Sequence, residues 1–182
     1  LVVVGHVLKS IEQGFHFDFR VLRLNRDGSQ DTSFANGNFV EQTFPARLTG
    51  HRVAASTSDR VAILGGSVDD VLTGNGYRFD PFTGIAETFA NALVTPRNSP
   101  VVVSNGRHIL VAGGTDADGN IVPDAELLDA DTMQSITTLP LTVARTGGIG
   151  FSLSNGQMIL LGGVDANGAP SDAIELFTPS LP

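Results

Sequence analysis

The sequence predicts an all-β chain: a β-propeller built of four-stranded antiparallel blades, with about three and a half blades present as a partial propeller or a fragment of a longer one. Three observations predict it. A glycine doublet recurs as Gly65-Gly66, Gly113-Gly114 and Gly162-Gly163, 48 and 49 residues apart. Each doublet closes an apolar run: Val61-Ala-Ile-Leu64, Ile109-Leu-Val-Ala112 and Met158-Ile-Leu-Leu161. No stretch of eleven residues carries the apolar period of an amphipathic helix. A repeat near 49 residues that holds about four short strands has the spacing of a propeller blade.

The elements follow in order as one propeller segment over residues 1–182, with units at about 1–45 (partial), 46–95, 96–144 and 145–182 (partial). In the first, Leu1-Val-Val-Val-Gly5 reads as the strand that leads to a glycine pair, so the unit is expected to begin in mid-blade. Each later unit opens near an arginine, Arg47, Arg97 or Arg145, at spacings of 50 and 48. In the third unit Val101–Ser104, Asn105-Gly106 and Ile109–Ala112 read as strand, turn, strand. Asn-Gly supports this because a two-residue hairpin turn requires positive φ. Ile149–Leu153, Asn155-Gly156 and Met158–Leu161 repeat the pattern. Further markers keep the period: Asp80 and Asp129, Asp116 and Asp165, and Glu126 and Glu175 are each 49 apart. Ala173–Phe177 reads as a third strand with no fourth before Pro182. The expected set is three, four, four and three strands, about fourteen of ordinary length. A closed ring protects its strand edges, so further blades are expected from a longer form of the chain or from another chain.

Composition narrows the function. Apolar residues make up 41% of the chain, enough for a sizeable core, and charged residues only 16%. Without cysteine there is no disulfide framework, thiolate metal site or cysteine nucleophile. The net charge is −8 and Lys9 is the only lysine, which argues against a phosphate-tracking nucleic-acid surface. No apolar run is long enough to cross a membrane as a helix.

On the glycine doublets, the Tyr77…Asp80-Pro81 element and the unit-opening arginines, residues 46–182 resemble bacterial Kelch repeats. The chain lacks the tryptophan that such blades usually carry in their last strand, and Phe89 and Ile136 are expected to fill that packing role. The first unit differs. Arg23-Leu-Asn25, Asp27-Gly28-Ser29 and Asp31-Thr32-Ser33-Phe34 look like the bacterial delta-60 repeat, over residues 1–45. That resemblance also implies a propeller.

Each candidate site has a structural alternative. The doublets are expected to be structural: they end the second strand where a Cβ would obstruct the turn, and no helix follows to make a phosphate loop. Asp116, Asp118 and Asn120 offer oxygen ligands at alternate positions and form a candidate calcium loop, the one cofactor entertained. The glycine lies fourth, no bidentate glutamate follows, and an Asx turn is the competing reading. Asp165-Ala-Asn167-Gly and Asp69-Asp70 occupy equivalent loops and would add to an acidic rim. Asp27 and Asp31 read as turn caps. His6, His16, His51 and His108 show no ligand spacing. Arg47, Arg97 and Arg145 are expected to bridge carbonyls and carboxylates of adjacent blades through the guanidinium fork, with an anion-binding ring as the alternative.

Fold does not fix function. Galactose-oxidase-like copper chemistry, which the Kelch resemblance raises, needs a cysteine-linked tyrosine, and this chain has Tyr77 alone. The reading is a non-enzymatic binding or scaffold module of a secreted or surface-exposed bacterial protein, recognising a protein or glycan through propeller-face loops. Two alternatives stand beside it: part of an enzyme whose catalytic or metal-binding residues lie mostly outside this chain, and an architectural repeat of a surface assembly.

Overall fold

The computed structural model describes the backbone of residues 2–11, 14–34, 40–43, 48–55, 60–80, 82–83 and 85–179. Among these residues the secondary structure is strand and turn without helix, and no helix is long and apolar enough to cross a membrane. Sheet 1 comprises β1 (Val2–Ile11), β2 (Gly14–Arg23) and β3 (Val40–Thr43), in that order. After β4 (Leu48–Thr49), sheet 2 begins with β5 (Arg52–Ala55) and β6 (Val61–Leu64). A short hairpin, β7 (Ser67–Val68) and β8 (Val71–Leu72), precedes β9 (Gly76–Asp80) and β10 (Ile85–Phe89). Sheet 3 contains β11 (Val101–Ser104), β12 (His108–Ala112), β13 (Asp124–Asp129) and β14 (Ser135–Pro140). Sheet 4 contains β15 (Ile149–Ser152), β16 (Met158–Leu161) and β17 (Ile174–Phe177). All pairings are antiparallel and the four sheets hold three, four, four and three strands.

Alternation within the strands explains how sheets stack. Successive side chains of a strand point to opposite faces, and here both faces of the middle sheets are covered. Val61 and Ile63 of β6 join Val21 and Phe34 from the first unit, whereas Ala62 and Leu64 join Ile109 and Val111 of β12. Leu110 and Ala112 of β12 turn the other way, onto Met158 and Leu160 of β16. The core is therefore three apolar layers between four sheets in chain order. That double burial is why β6 and β12 read as continuous apolar runs rather than alternating ones. The first strands converge, with β11 lying beside both β5 and β15.

A small sheet, β4-β7-β8, was not expected. The same ribbon shrinks to single bridges in the next two units, Asn98 to Thr115 to Ile121 and Thr146 to Val164 to Pro170. Two other expectations are corrected. Gly5 does not end a strand: it lies inside β1 opposite Arg20, because the apolar run continues past a single glycine and pairs with β2 along its full length. Ile136 does not take the tryptophan role. It falls in a bulge of β14 between the partners of Leu127 and Leu128 and is 55% exposed. Phe89 does pack against the layer between sheets 2 and 3, with the Arg78 guanidinium 4.9 Å from its ring centre.

Candidate functional site

The most concentrated polar chemistry is an arginine–glutamate clamp that occurs twice. Arg97 precedes β11 and is fully buried. Its Nε donates to the Thr95 carbonyl (3.1 Å), and Nη1 donates to the carbonyls of Gly113 (3.3 Å) and Asp124 (2.9 Å). Nη2 donates to Asp124 Oδ1 and to Glu126 Oε1, both at 2.8 Å. Glu126, equally buried, also accepts from the N–H groups of Val94 and Thr95, each at 2.8 Å. Arg145 repeats the arrangement on Val143, Gly162, Ala173 and Glu175. Glu175 in turn accepts from Thr142 and Val143. Burial would raise the Glu175 carboxyl, but those two N–H groups and Arg145 outweigh it and hold the group below its ordinary value.

Each guanidinium reaches two units: Nε bonds to Thr95 or Val143 at the end of the preceding unit, while Nη1 and Nη2 bond to carbonyls and carboxylates of the arginine's own sheet. The main chain adds a second link to the sheet before. Gly66 N–H donates to the Arg97 carbonyl (2.7 Å) and Gly114 N–H to the Arg145 carbonyl (2.9 Å). The reason is reach: each side chain folds back across the second and third strands of its sheet, leaving its carbonyl facing the neighbouring glycine doublet. A parallel stitch runs along the convergent edge, from Ser99 N–H to Gly50 O and from Gly147 N–H to Ser99 O, both 3.0 Å. Of the expected structural set, Gly65, Gly66, Gly113, Gly114, Gly162 and Gly163 all have positive φ. Arg47 lies outside the described residues.

The carboxylates of the loops cap turns. Asp116 Oδ1 accepts from the N–H groups of Asp118 (3.0 Å) and Asn120 (2.8 Å), and Oδ2 accepts from Asn120 Nδ2 (3.2 Å). The Asn120 N–H is the main reason the Asp116 carboxyl sits below its usual range. Asp165 likewise accepts from Asn167 and Ala169. No cluster of three His, Asp or Glu side chains able to hold a metal forms among the described residues. Asp69 and Asp70 turn the β7–β8 hairpin at φ 49° and 64°. Asp80 and Asp129 cap the turns into β10 and β14, the first on Phe82 and Thr83, the second on Asp131 and Thr132.

In the first unit the motif residues make one knot. Asp27 and Asp31 accept the hydroxyls and N–H groups of Ser29 and Ser33 respectively. Arg23 Nε donates to Asp31 Oδ2 at 2.7 Å, and its guanidinium covers Phe34 and Phe82 at 5.1 and 5.3 Å from the ring centres. Phe34 is thereby driven into the layer against sheet 2.

The two histidines with described side chains, His51 and His108, join no metal-holding cluster. His51 is buried with Nδ1 3.1 Å from the Thr49 carbonyl oxygen, and the side chains of His6 and His16 lie outside the described residues. His108 is buried, and its Nδ1 has no hydrogen-bond partner among the described residues. It lines a cleft of about 430 Å³ between the outer part of sheet 3 and the end of sheet 4, with Arg107, Asp129, Ile136, Leu139 and Phe177. A smaller cleft of about 140 Å³ lies over Arg78, Asp80 and Glu87.

The sequence reading missed Glu126, a fully buried anion, and Glu175, a half-buried one, as partners of the arginines. A charged residue inside an apolar strand, keeping the period of the arginines, was the available clue. Neither a protein-family model nor a curated protein matches the chain.

Proposed function

We propose that the chain is an arc of a β-propeller, built from one delta-60-like unit and three Kelch-like units. In this reading it is a non-catalytic binding or scaffold module of a secreted or surface-exposed bacterial protein. Its partner is a protein or glycan held by loops at one face. The supporting observation is where the ionisable groups go. Arg97, Arg145, Glu126 and Glu175 bond to the sheets themselves, and Asp27, Asp31, Asp80, Asp116, Asp129 and Asp165 accept backbone N–H groups of their own turns. Groups so engaged hold a rigid frame. The loops at Asp69-Asp70, Asp116–Asn120 and Asp165–Ala169 recur at equivalent places and supply variable surface on that frame, as binding residues on scaffold loops generally do.

The test is a glycan array run beside a partner pull-down, with the intact chain and an Asp118→Ala/Asn167→Ala variant. Saturable binding that the variant weakens at least tenfold supports the reading. Silence in both assays, or binding indifferent to the loops, contradicts it.

A further inference from the structure

Two hairpin turns carry the same tripeptide. Ser104-Asn105-Gly106 leads from β11 into β12, and Ser154-Asn155-Gly156 leads from β15 into β16. Asparagine before glycine is the step most open to imide formation within the chain, because no Cβ shields the next backbone nitrogen. With the tripeptide matched, the fold decides which site reacts. Asn105 is half-buried and its amide is held at three points. Oδ1 accepts from the N–H groups of Arg107 (3.1 Å) and His108 (2.8 Å), and Nδ2 donates across to the Gly156 carbonyl of sheet 4 (2.8 Å). Asn155 is exposed, and among the described residues its amide bonds to Gln157 alone, accepting the N–H at 3.1 Å and donating to Oε1 at 2.7 Å. Two other Asn-Gly steps are described. Gly76, after Asn75, is buried in β9 opposite Phe89. Asn167 is exposed, but its side chain bonds to the Asp165 carboxylate, whose negative charge opposes loss of a proton from the adjoining Gly168 nitrogen.

We propose that Asn155 is a self-modification site, converting to aspartate and isoaspartate through a cyclic imide, and that its conversion unlocks Asn105 for the same reaction. This stands on the two turns and is independent of the loop-face reading. The Gly156 nitrogen gives up its proton to solvent base and attacks Asn155 Cγ. The N–Cγ bond forms, the Cγ–Nδ2 bond breaks, and the side-chain nitrogen leaves as ammonia with a proton from water. Water then opens the imide without oxidation or reduction. Breaking N–Cγ gives aspartate; breaking the nitrogen's bond to the main-chain carbonyl gives isoaspartate, with the chain rerouted through Cβ and Cγ. Asn105 resists because its amide must first give up bonds to two further groups, one of them on another sheet, and each such bond adds to the barrier. That protection depends on Gly156, the very residue that the isoaspartyl product displaces by lengthening the turn by one carbon. Asn105 Nδ2 then loses its acceptor. The order is therefore Asn155 first and Asn105 second. Each event replaces a neutral amide by a carboxylate at the end of sheets 3 and 4 away from the glycine doublets, in a chain already at −8.

The experiment incubates the intact chain in mildly alkaline buffer and follows it by peptide mapping that separates asparaginyl, aspartyl and isoaspartyl forms. In the folded chain Asn155 converts at least tenfold faster than Asn105 and faster than Asn167, and conversion at Asn105 begins only after a lag. In urea, where the shared tripeptide is all that remains, Asn105 and Asn155 convert at matching rates. Asn155→Ser keeps a turn-forming residue but cannot form the imide; its circular dichroism matches the parent's, and the late conversion at Asn105 disappears. Asn105 converting as fast as Asn155 in the folded chain, a preference for Asn155 that persists unchanged in urea, or conversion at Asn105 indifferent to Asn155→Ser would each overturn the proposal.

Discussion

Removing the guanidinium of Arg97 exposes how much the clamp contributes. In Arg97→Leu the Glu126 carboxylate stays fully buried, keeps only the N–H groups of Val94 and Thr95, and loses its one cationic partner. The carbonyls of Gly113 and Asp124 lose donors as well. Breaking a buried ion pair from one side costs about 3–5 kcal/mol. With a urea slope of about 3 kcal/mol per molar, the midpoint falls by about 1–1.7 M. The thermal midpoint falls by about 10 °C for a domain of this length. Glu126→Leu destabilises by a similar mechanism, leaving Arg97 with Asp124 as its one carboxylate beside the Thr95, Gly113 and Asp124 carbonyls. The double variant, Arg97→Leu with Glu126→Leu, leaves neither charge buried and is less damaged than the two single losses added together, by about 2–3 kcal/mol. Urea unfolding followed by far-ultraviolet circular dichroism measures all four corners of the cycle. Additive single losses, or an Arg97→Leu midpoint within 0.3 M of the parent (about 1 kcal/mol by the same slope), would refute the clamp as an energetic unit.

Other outcomes follow from the same geometry. A Cβ on Gly113 would sit 2.0 Å from the Arg145 carbonyl oxygen, whereas one on Gly162 meets nothing within 4 Å, although both residues have positive φ. Gly162→Ala should therefore lose only the about 1–2 kcal/mol of left-handed strain, and Gly113→Ala clearly more; equal losses in thermal unfolding would contradict the packing of sheet 3 on sheet 4. Ser99 holds φ 49° where the neighbouring units have Gly50 and Gly147 at 67°; Ser99→Gly should be neutral or stabilising by up to about 1 kcal/mol, and a loss larger than that would count against the stitch along the inner edge. Acid should destabilise the chain. The Asp27, Asp31, Asp80, Asp116, Asp129, Asp165 and Glu175 carboxyls all lie below their ordinary values when folded. The unfolded chain then takes up protons first, so this stability is complete above the usual carboxylate range and declines as pH falls below about 4.5. A urea midpoint that rises on acidification from pH 5 to pH 3 would contradict it.

The sequence disclosed what local chemistry dictates. Asn105-Gly106 and Asn155-Gly156 turn through the positive φ of Gly106 and Gly156, and at every doublet position except Gly162 an added Cβ would meet a neighbouring carbonyl oxygen. The β7–β8 hairpin was hidden because its turn uses Asp69 and Asp70, which resemble a solvated acidic loop, in place of glycine. Phe34 was legible as part of a motif but not as the plug of the first apolar layer, since burial between units is a tertiary fact. The arginines and the glutamates Glu126 and Glu175 were both recognised by their period, but their pairing was not, because no local rule pairs residues about 29 positions apart.

The central claim is that successive sheets are fixed to one another by a main-chain stitch at each glycine doublet. Native-state amide exchange tests it most directly, because the chain carries its own control. The N–H groups of Gly66 and Gly114 donate across to the next unit, and Gly163 N–H meets no acceptor among the described residues. Protection at Gly66 and Gly114 comparable to that in β6 and β12, with rapid exchange at Gly163, is the predicted result. Equal and rapid exchange at all three glycines would contradict the account.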